Sequence, residues 1–164
     1  MSPNFIIAVC AVIIALGSFF VAFKQARAIR DHNRRSVQPI LRIRHRDGIE
    51  NSEAGIILVN HGLGPAFIAN SVVTYKGTSI GPWTQQAYAH LLDRNEKFGI
   101  ERPKYVTLIP EHTVIASNQE IYLLRMDGFD RQQHSWFWDL ITVDLKFEIH
   151  YESIYGQEGF IVIR

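Results

Sequence analysis

The chain has 164 residues, of which 47% are hydrophobic, 20% charged and 12% aromatic, and this length suits a single folded domain. Seventeen lysines and arginines against sixteen aspartates and glutamates leave a formal net charge of +1. That balance excludes a generally basic nucleic-acid-binding protein and an acidic disordered tail. A lone cysteine, Cys10, excludes a disulfide framework and a four-cysteine zinc site.

The segment from Phe5 to Phe23 has nineteen residues and no charged side chain. At about 1.5 Å rise per residue, a helix of that length crosses the roughly 30 Å hydrocarbon core of a bilayer. A buried helix of a soluble core would show a polar stripe. A cleavable secretory signal would have a basic start and a shorter apolar stretch. The sequence therefore predicts a retained transmembrane anchor over residues 1–23.

Small side chains recur along one stripe of this predicted helix, at spacings of three and four residues. They are Ala8, Ala11, Ala15, Ser18 and Ala22. Small residues allow helix backbones to approach closely in lipid. We predict that this face mediates helix association, with a second copy or another membrane protein as partner. The alternative is that alanine is simply common in membrane helices.

A basic segment follows the apolar one. Residues 24–46 have a net charge of +7, whereas residues 47–164 have a net charge of −6. The positive-inside rule then places the C-terminal side in the cytoplasm and the N-terminus outside. Residues 24–36 are predicted to form a juxtamembrane helix whose basic side chains contact lipid headgroups: Lys24, Arg27, Arg30, Arg34 and Arg35. The charges could also serve only to orient the helix. Nucleic acid is not expected as a partner, because no aromatic residues alternate with these arginines.

The remainder, residues 37–164, shows the period-two alternation of β-strands. Eight strands are predicted: 40–46, 55–59, 67–75, 105–109, 113–116, 120–126, 142–151 and 160–163. Links this short do not allow parallel crossovers. The fold class is therefore predicted to be mainly β: an N-terminal transmembrane helix followed by an antiparallel β-sandwich, Ig-like or barrel-like, with one or two short helices.

Two stretches of this domain depart from the strand pattern. Residues 82–93 have helical spacing, with Pro82 expected at the first helical position. Residues 131–140 read either as a short helix or as an aromatic loop. They contain Trp136, Phe137 and Trp138, which either fill the core or expose a tryptophan for a partner or the membrane interface.

The most informative local motif is the run Asn60-His61-Gly62-Leu63-Gly64-Pro65-Ala66. We predict a structural turn at Asn60, Gly62, Gly64 and Pro65. The glycines would supply positive φ, the proline would fix the exit, and Asn60 would bond backbone groups two residues on. The alternative is an anion-binding loop that uses the glycine amides, although the lysine of a nucleotide loop is missing.

Several of these features occur together in one known group. The collar ending in residues 33–39, the NxGxGPA turn and a late Tyr151–Gly156 segment resemble a group of bacterial single-pass membrane proteins with a β-rich domain and no characterised activity. The resemblance implies a bacterial inner-membrane protein. It implies no catalytic residues, and it assigns no role to His61.

The sequence offers little sign of catalytic chemistry. No histidine pair has HxH, HxxxH or HExxH spacing, and no CxxC is present. The GxSxG spacing at residues 77–81 begins at the predicted turn Lys76-Gly77 and is not interpreted as a nucleophile elbow. We therefore predict no enzyme, cofactor or metal site. The expected function is a membrane-anchored interaction or scaffold protein that presents a cytoplasmic β-domain. The alternative is a ligand-gated membrane effector of the defence type, whose β-domain binds a small anionic ligand.

Overall fold

The computed structural model describes residues 2–48, 52–99, 101–156 and 159–164. Contacts between Cα atoms divide the chain into two compact units, Met1–Ser36 and Val37–Arg164. The first unit is a helix, and the second contains all the strands.

Helix α1 runs without interruption over Pro3–Ser36, 34 residues in all. None of its described residues is buried, whereas a core helix of a soluble protein would have a buried face. By length and composition it can cross a membrane, and among the described residues it is the one helix that meets this test. The apolar stretch and the basic residues up to Ser36 therefore belong to one continuous helix.

Among its described residues the second unit contains eight strands: β1 (Leu41–Asp47), β2 (Glu53–Asn60), β3 (Ala66–Tyr75), β4 (Thr78–Gly81), β5 (Val114–Ile115), β6 (Glu120–Asp127), β7 (Leu145–Glu152) and β8 (Gly159–Ile163). They form two antiparallel sheets. One has the order β1-β2-β6, and the other has the order β4-β3-β7-β8 with β5 also paired to β3. Within the described residues the sheets do not close into a barrel.

The strand prediction was wrong in three places. Residues 105–109 do not form a strand: Tyr105 makes an isolated β-bridge with Arg125, and the backbone groups of Thr107 and Ile109 bond to Trp83 instead of to a strand. The indole nitrogen of Trp83 donates to the Thr107 carbonyl at 3.0 Å, and the Ile109 amide donates to the Trp83 carbonyl at 3.1 Å. Residues 142–144 belong to a π-helix, Leu140–Asp144, rather than to the strand that follows. Strand β4 was not predicted.

In the part of the domain that the structure describes, there are more helical segments than the one or two short helices predicted. They are α2 (Gln85–Arg94), a 3-10 helix (Glu96–Gly99) and α3 (Ser135–Asp139), which continues into the π-helix. Pro82 is not the first helical residue, because α2 begins only after Thr84. The reason is Trp83, whose side chain is fully buried and whose backbone amide donates to the Ser71 hydroxyl at 2.9 Å.

One hydrophobic core joins both sheets and the short helices. Ile56 and Leu58 of β2 and Phe147 and Ile149 of β7 are buried in the same cluster. Strand β2 is buried on both faces over Ala54–Asn60, which explains its unbroken apolar sequence.

The aromatic run of residues 136–138 belongs to this core. Phe137 is completely buried, and Trp136 and Trp138 pack against the core while partly exposed. Trp136 meets Phe98 edge-on at 5.5 Å between ring centroids. Of the two interpretations, the structure supports core packing.

Candidate interaction surfaces

The first surface is the face of α1 that has small side chains. At 3.6 residues per turn, Ala8, Ala11, Ala15, Ser18 and Ala22 follow one side of the helix, and all five are exposed. Large apolar side chains occupy the opposite side of the same segment, where Ile13 and Phe20 are each 62% exposed. Cys10 is exposed as well, but it lies on a different side of the helix from the small residues.

The second surface is the basic half of α1. Because the helix is continuous, its rise places Ser36 about 20 Å beyond Phe23. A headgroup layer is only about 5–8 Å thick on each side of the bilayer. If the helix crosses a bilayer upright, Lys24 and Arg27 would be its basic residues nearest to lipid phosphates, and Arg34 and Arg35 would lie further out in water. Asp31 lines a shallow groove together with Arg27, Arg30 and Arg34.

The predicted turn is organised by the side chain of Asn60, which is fully buried. Its carbonyl oxygen accepts hydrogen bonds from the backbone amides of Gly62 at 2.9 Å and Ile40 at 3.1 Å. Its amide nitrogen donates to three backbone carbonyl oxygens: Gly64 at 2.8 Å, Ile115 at 3.1 Å and Ala116 at 3.2 Å. Asn60 thus connects its own turn to two distant segments of the domain.

The glycines of this turn have a different role from the one predicted. Neither Gly62 nor Gly64 has positive φ. Both are instead crossed by the first residues of the domain: a Cβ on Gly64 would overlap the Val37 carbonyl oxygen, and one on Gly62 would lie 2.6 Å from the Cα of Pro39. Glycine is required here because two backbone segments approach each other too closely for any side chain.

The same packing leaves no open amide cradle for an anion at this turn. Gly62 and Gly64 are both buried, and the Gly62 amide already donates to Asn60. The Gly62 carbonyl accepts from the Ser117 hydroxyl at 2.8 Å. Pro65 is partly buried and leads directly into β3. His61 is exposed, and its backbone amide donates to the Ile40 carbonyl at 2.8 Å.

The third surface is the outer side of the β1-β2-β6 sheet, where charges are paired. The Asp127 carboxylate forms ion pairs with Lys104, 2.9 Å from its Nζ, and with Arg125, 2.8 Å from its Nε. The hydrogen bond from Lys104 holds the pKa of Asp127 below its usual value. The Arg125 guanidinium also stacks on the Tyr105 ring, 3.8 Å from its centroid. Lys104 is exposed, whereas the Arg125 side chain is only 18% exposed, so the ion pairs and the stacked ring together fix the position of this guanidinium.

Two histidines of the domain, His134 and His150, make side-chain contacts with acidic residues. His134 accepts from the Asp130 backbone amide at its Nδ1, at 2.8 Å, and its Nε2 lies 3.0 Å from a Glu101 oxygen. His150 pairs with Glu148 on the same strand. Among the described residues, no group of three histidine, cysteine, aspartate or glutamate side chains is placed to hold a metal.

Sequence reasoning missed the long-range partners of the turn. It predicted the local hydrogen bond of Asn60 but not its contacts with residues 115–119. The backbone amide of Asn60 also donates to the Gln119 carbonyl at 3.0 Å. These residues lie more than fifty positions away along the chain. No periodicity or local motif records such a contact.

Comparison with known proteins gives no relative. No protein-family model matches the chain, and no curated protein and no solved structure matches it. The interpretation of the surfaces above therefore rests on their residues and geometry alone.

Proposed function

We propose that this protein is a membrane-anchored interaction or scaffold protein that self-associates through α1 and holds a β-domain at the membrane face. In this proposal α1 is a retained single-pass anchor in a bacterial inner membrane. The N-terminus lies outside and the domain in the cytoplasm, as the positive charge after the apolar segment favours. One observation supports the proposal most: a 34-residue helix with no buried residue presents a continuous small-residue face in its apolar half.

The β-domain in this proposal is a two-sheet sandwich, and it begins immediately after the helix. Ser36 is the last residue of one unit and Val37 the first of the other. Val37 already lies against Gly64, and the next residues are bonded to Asn60. The first residues after the helix are therefore already packed into the domain, which suits a protein that presents a folded surface.

Lipid is the second proposed partner. Lys24 and Arg27 are the residues we propose to contact headgroup phosphates directly, and Arg30, Arg34 and Arg35 would extend the positive potential away from the bilayer. Each basic side chain close to an anionic surface contributes on the order of 1 kcal/mol. The alternative, a ligand-gated effector, has less support: the depression lined by Ala69, His150 and Glu152 contains no arginine or lysine, and the one that contains Lys146 and Arg164 also contains Glu148.

The association of α1 is tested by enlarging one small residue. We expect Ala15→Ile to lower the dimer fraction of the full chain in membranes at least fivefold, because the β-branched side chain prevents close backbone approach. Förster transfer between labelled copies in vesicles measures the fraction. Cys10→Ile is the matched control, since it adds similar bulk on another side of the same helix. Equal transfer in Ala15→Ile, Cys10→Ile and the wild type would contradict the proposal.

A further inference from the structure

The water-exposed half of α1, residues 24–36, segregates its charges sharply. At 100° per residue, its six charged side chains lie within an arc of about 140°: Lys24, Arg27, Arg30, Asp31, Arg34 and Arg35. The other seven lie within an arc of about 160°: Gln25, Ala26, Ala28, Ile29, His32, Asn33 and Ser36. We call the second arc the charge-free face. Such segregation is not needed to orient a membrane helix, which depends on the number of positive charges and not on their side.

We infer that a second copy of this chain packs in parallel along the charge-free face, so that the paired helices extend from the membrane through Ser36. This inference rests on the proposed self-association and adds where the interface runs and how the copies face each other. The membrane orientation is the same for every copy, so the helices are parallel and each residue meets its counterpart.

Charge decides which face can be shared. In a parallel pair, contact through the charged arc would set Arg27 and Arg34 of one copy against the same residues of the other. Like charges at such distances repel. Contact through the charge-free face avoids this and leaves all six charges directed away from the partner or at the margin.

The composition of the charge-free face favours a helix over a lipid surface. Ile29 is its one large apolar side chain and is 59% exposed in the isolated chain. A helix lying on a bilayer buries a broad apolar face, which Gln25, His32 and Asn33 would spoil. Ala26 and Ala28 flank Ile29 and allow a second backbone to approach, and polar side chains can bond across such a contact.

The charge-free face also continues the small-residue face of the apolar half. Counting from Ala22 toward the C-terminus at alternating spacings of three and four, the next positions are Gln25, Ile29, His32 and Ser36. This alternation is the spacing that keeps one seam facing a parallel partner. All four positions are uncharged in a segment where nearly half of the residues are charged.

Cysteine crosslinking of the full chain in native membranes tests the inference. In a Cys10→Ala background, single cysteines replace residues of the charge-free face (Ile29→Cys, Ser36→Cys) or of the charged arc (Arg27→Cys, Arg34→Cys). A disulfide requires the two Cβ atoms to come within about 4.5 Å. After oxidation with copper phenanthroline, we expect at least fivefold more covalent dimer from the first pair of variants than from the second.

Each outcome has a distinct meaning. Equal yields from both pairs, or higher yields from the charged arc, overturn the inference. If neither pair crosslinks while Ala15→Ile still lowers energy transfer, the interface ends at the membrane, and the inference fails although the proposed self-association stands. If the chain shows no energy transfer and no crosslinks, both are wrong.

Discussion

Asn60 shows how much one buried polar side chain can organise. Burial of an amide is costly unless its donors and acceptors are satisfied, and Asn60 satisfies them with backbone groups from three parts of the domain. An aspartate could not donate to the Gly64 carbonyl, and a glutamine would be too long for the space. The residue type follows from this geometry.

Replacing this side chain tests its role. We expect Asn60→Ala to lower the free energy of unfolding by about 2–4 kcal/mol, because the Ile40 and Gly62 amides lose their acceptor inside the domain. Urea unfolding of the full chain in detergent, followed by the fluorescence of buried Trp83, measures the change. Asn70→Ala is the control: Asn70 is exposed on β3, and its replacement should change stability by less than about 0.5 kcal/mol. Similar losses in both variants would contradict the role assigned to Asn60.

Gly64 gives a second test at the same turn. We expect Gly64→Ala to destabilise the domain by about 1–3 kcal/mol, since the new methyl group overlaps the Val37 carbonyl and one of the two segments must move. Gly159→Ala provides the comparison, because a Cβ there meets nothing within 4 Å. Differential scanning calorimetry of both variants measures the effect. A melting temperature of Gly64→Ala at or above that of Gly159→Ala would show that the two segments do not meet.

At the scale of elements, β1 follows the expected alternation in its apolar residues. Leu41 is buried, Ile43 is half-buried and Arg42 and Arg44 are exposed. His45 continues the inward series and meets the Trp138 ring edge-on at 6.3 Å. Burial, and secondly the positive charge of Arg164, lower the pKa of His45 from 6.5 to about 4. The strand therefore contains an inward-facing histidine that is neutral at pH 7.

This pKa predicts how stability depends on pH. The unfolded chain protonates His45 below about pH 6.5, whereas the folded chain does so only below about pH 4. The unfolded state thus binds more protons in this window, so stability falls as the pH is lowered through it. Allowing for solvent screening of a half-buried ring, we expect a loss of about 1–2 kcal/mol.

A non-titrating variant isolates the histidine. In His45→Gln, the part of the slope between pH 6.5 and 4 that belongs to this residue should disappear, while contributions from all other groups remain. Urea unfolding of both proteins at pH 7, 5.5 and 4.5 gives the comparison. Parallel stability curves would show that His45 is not buried as described.

At the scale of the whole molecule, the net charge of +1 is the sum of two opposed regions. The +7 of residues 24–46 adjoins the apolar segment, and the −6 belongs to the residues that follow. Positive charge next to a membrane helix determines its orientation during insertion. The distribution of charge along the chain therefore bears on the expected membrane orientation, whereas the near-zero net charge does not.

Orientation is tested with fusions at Arg164. A green fluorescent protein fused there should fluoresce and an alkaline phosphatase should be inactive, because the domain is expected in the cytoplasm, where reducing conditions prevent the phosphatase from forming its disulfides. Changing Lys24, Arg27 and Arg30 together to glutamine should increase phosphatase activity severalfold by weakening the charge bias. An active phosphatase on the unaltered chain would contradict the assigned orientation.

The sequence by itself determined the features that depend on local periodicity and composition. The apolar length of residues 5–23, the alternation of β1, β3 and β7 and the turn at Asn60 can all be read from short windows, because helices and strands impose fixed repeats on the residues they contain. The tertiary structure decided what depends on distant contacts. Because Trp83 is buried, α2 begins only after Thr84. The Thr107 carbonyl and the Ile109 amide bond to Trp83, so residues 105–109 do not form a strand. Gly62 and Gly64 are glycines because Val37–Pro39 cross them, and not because their backbone turns. These features depend on which distant segments come into contact in the folded domain. That contact depends on residues throughout the chain, so it cannot be read from a short stretch of sequence.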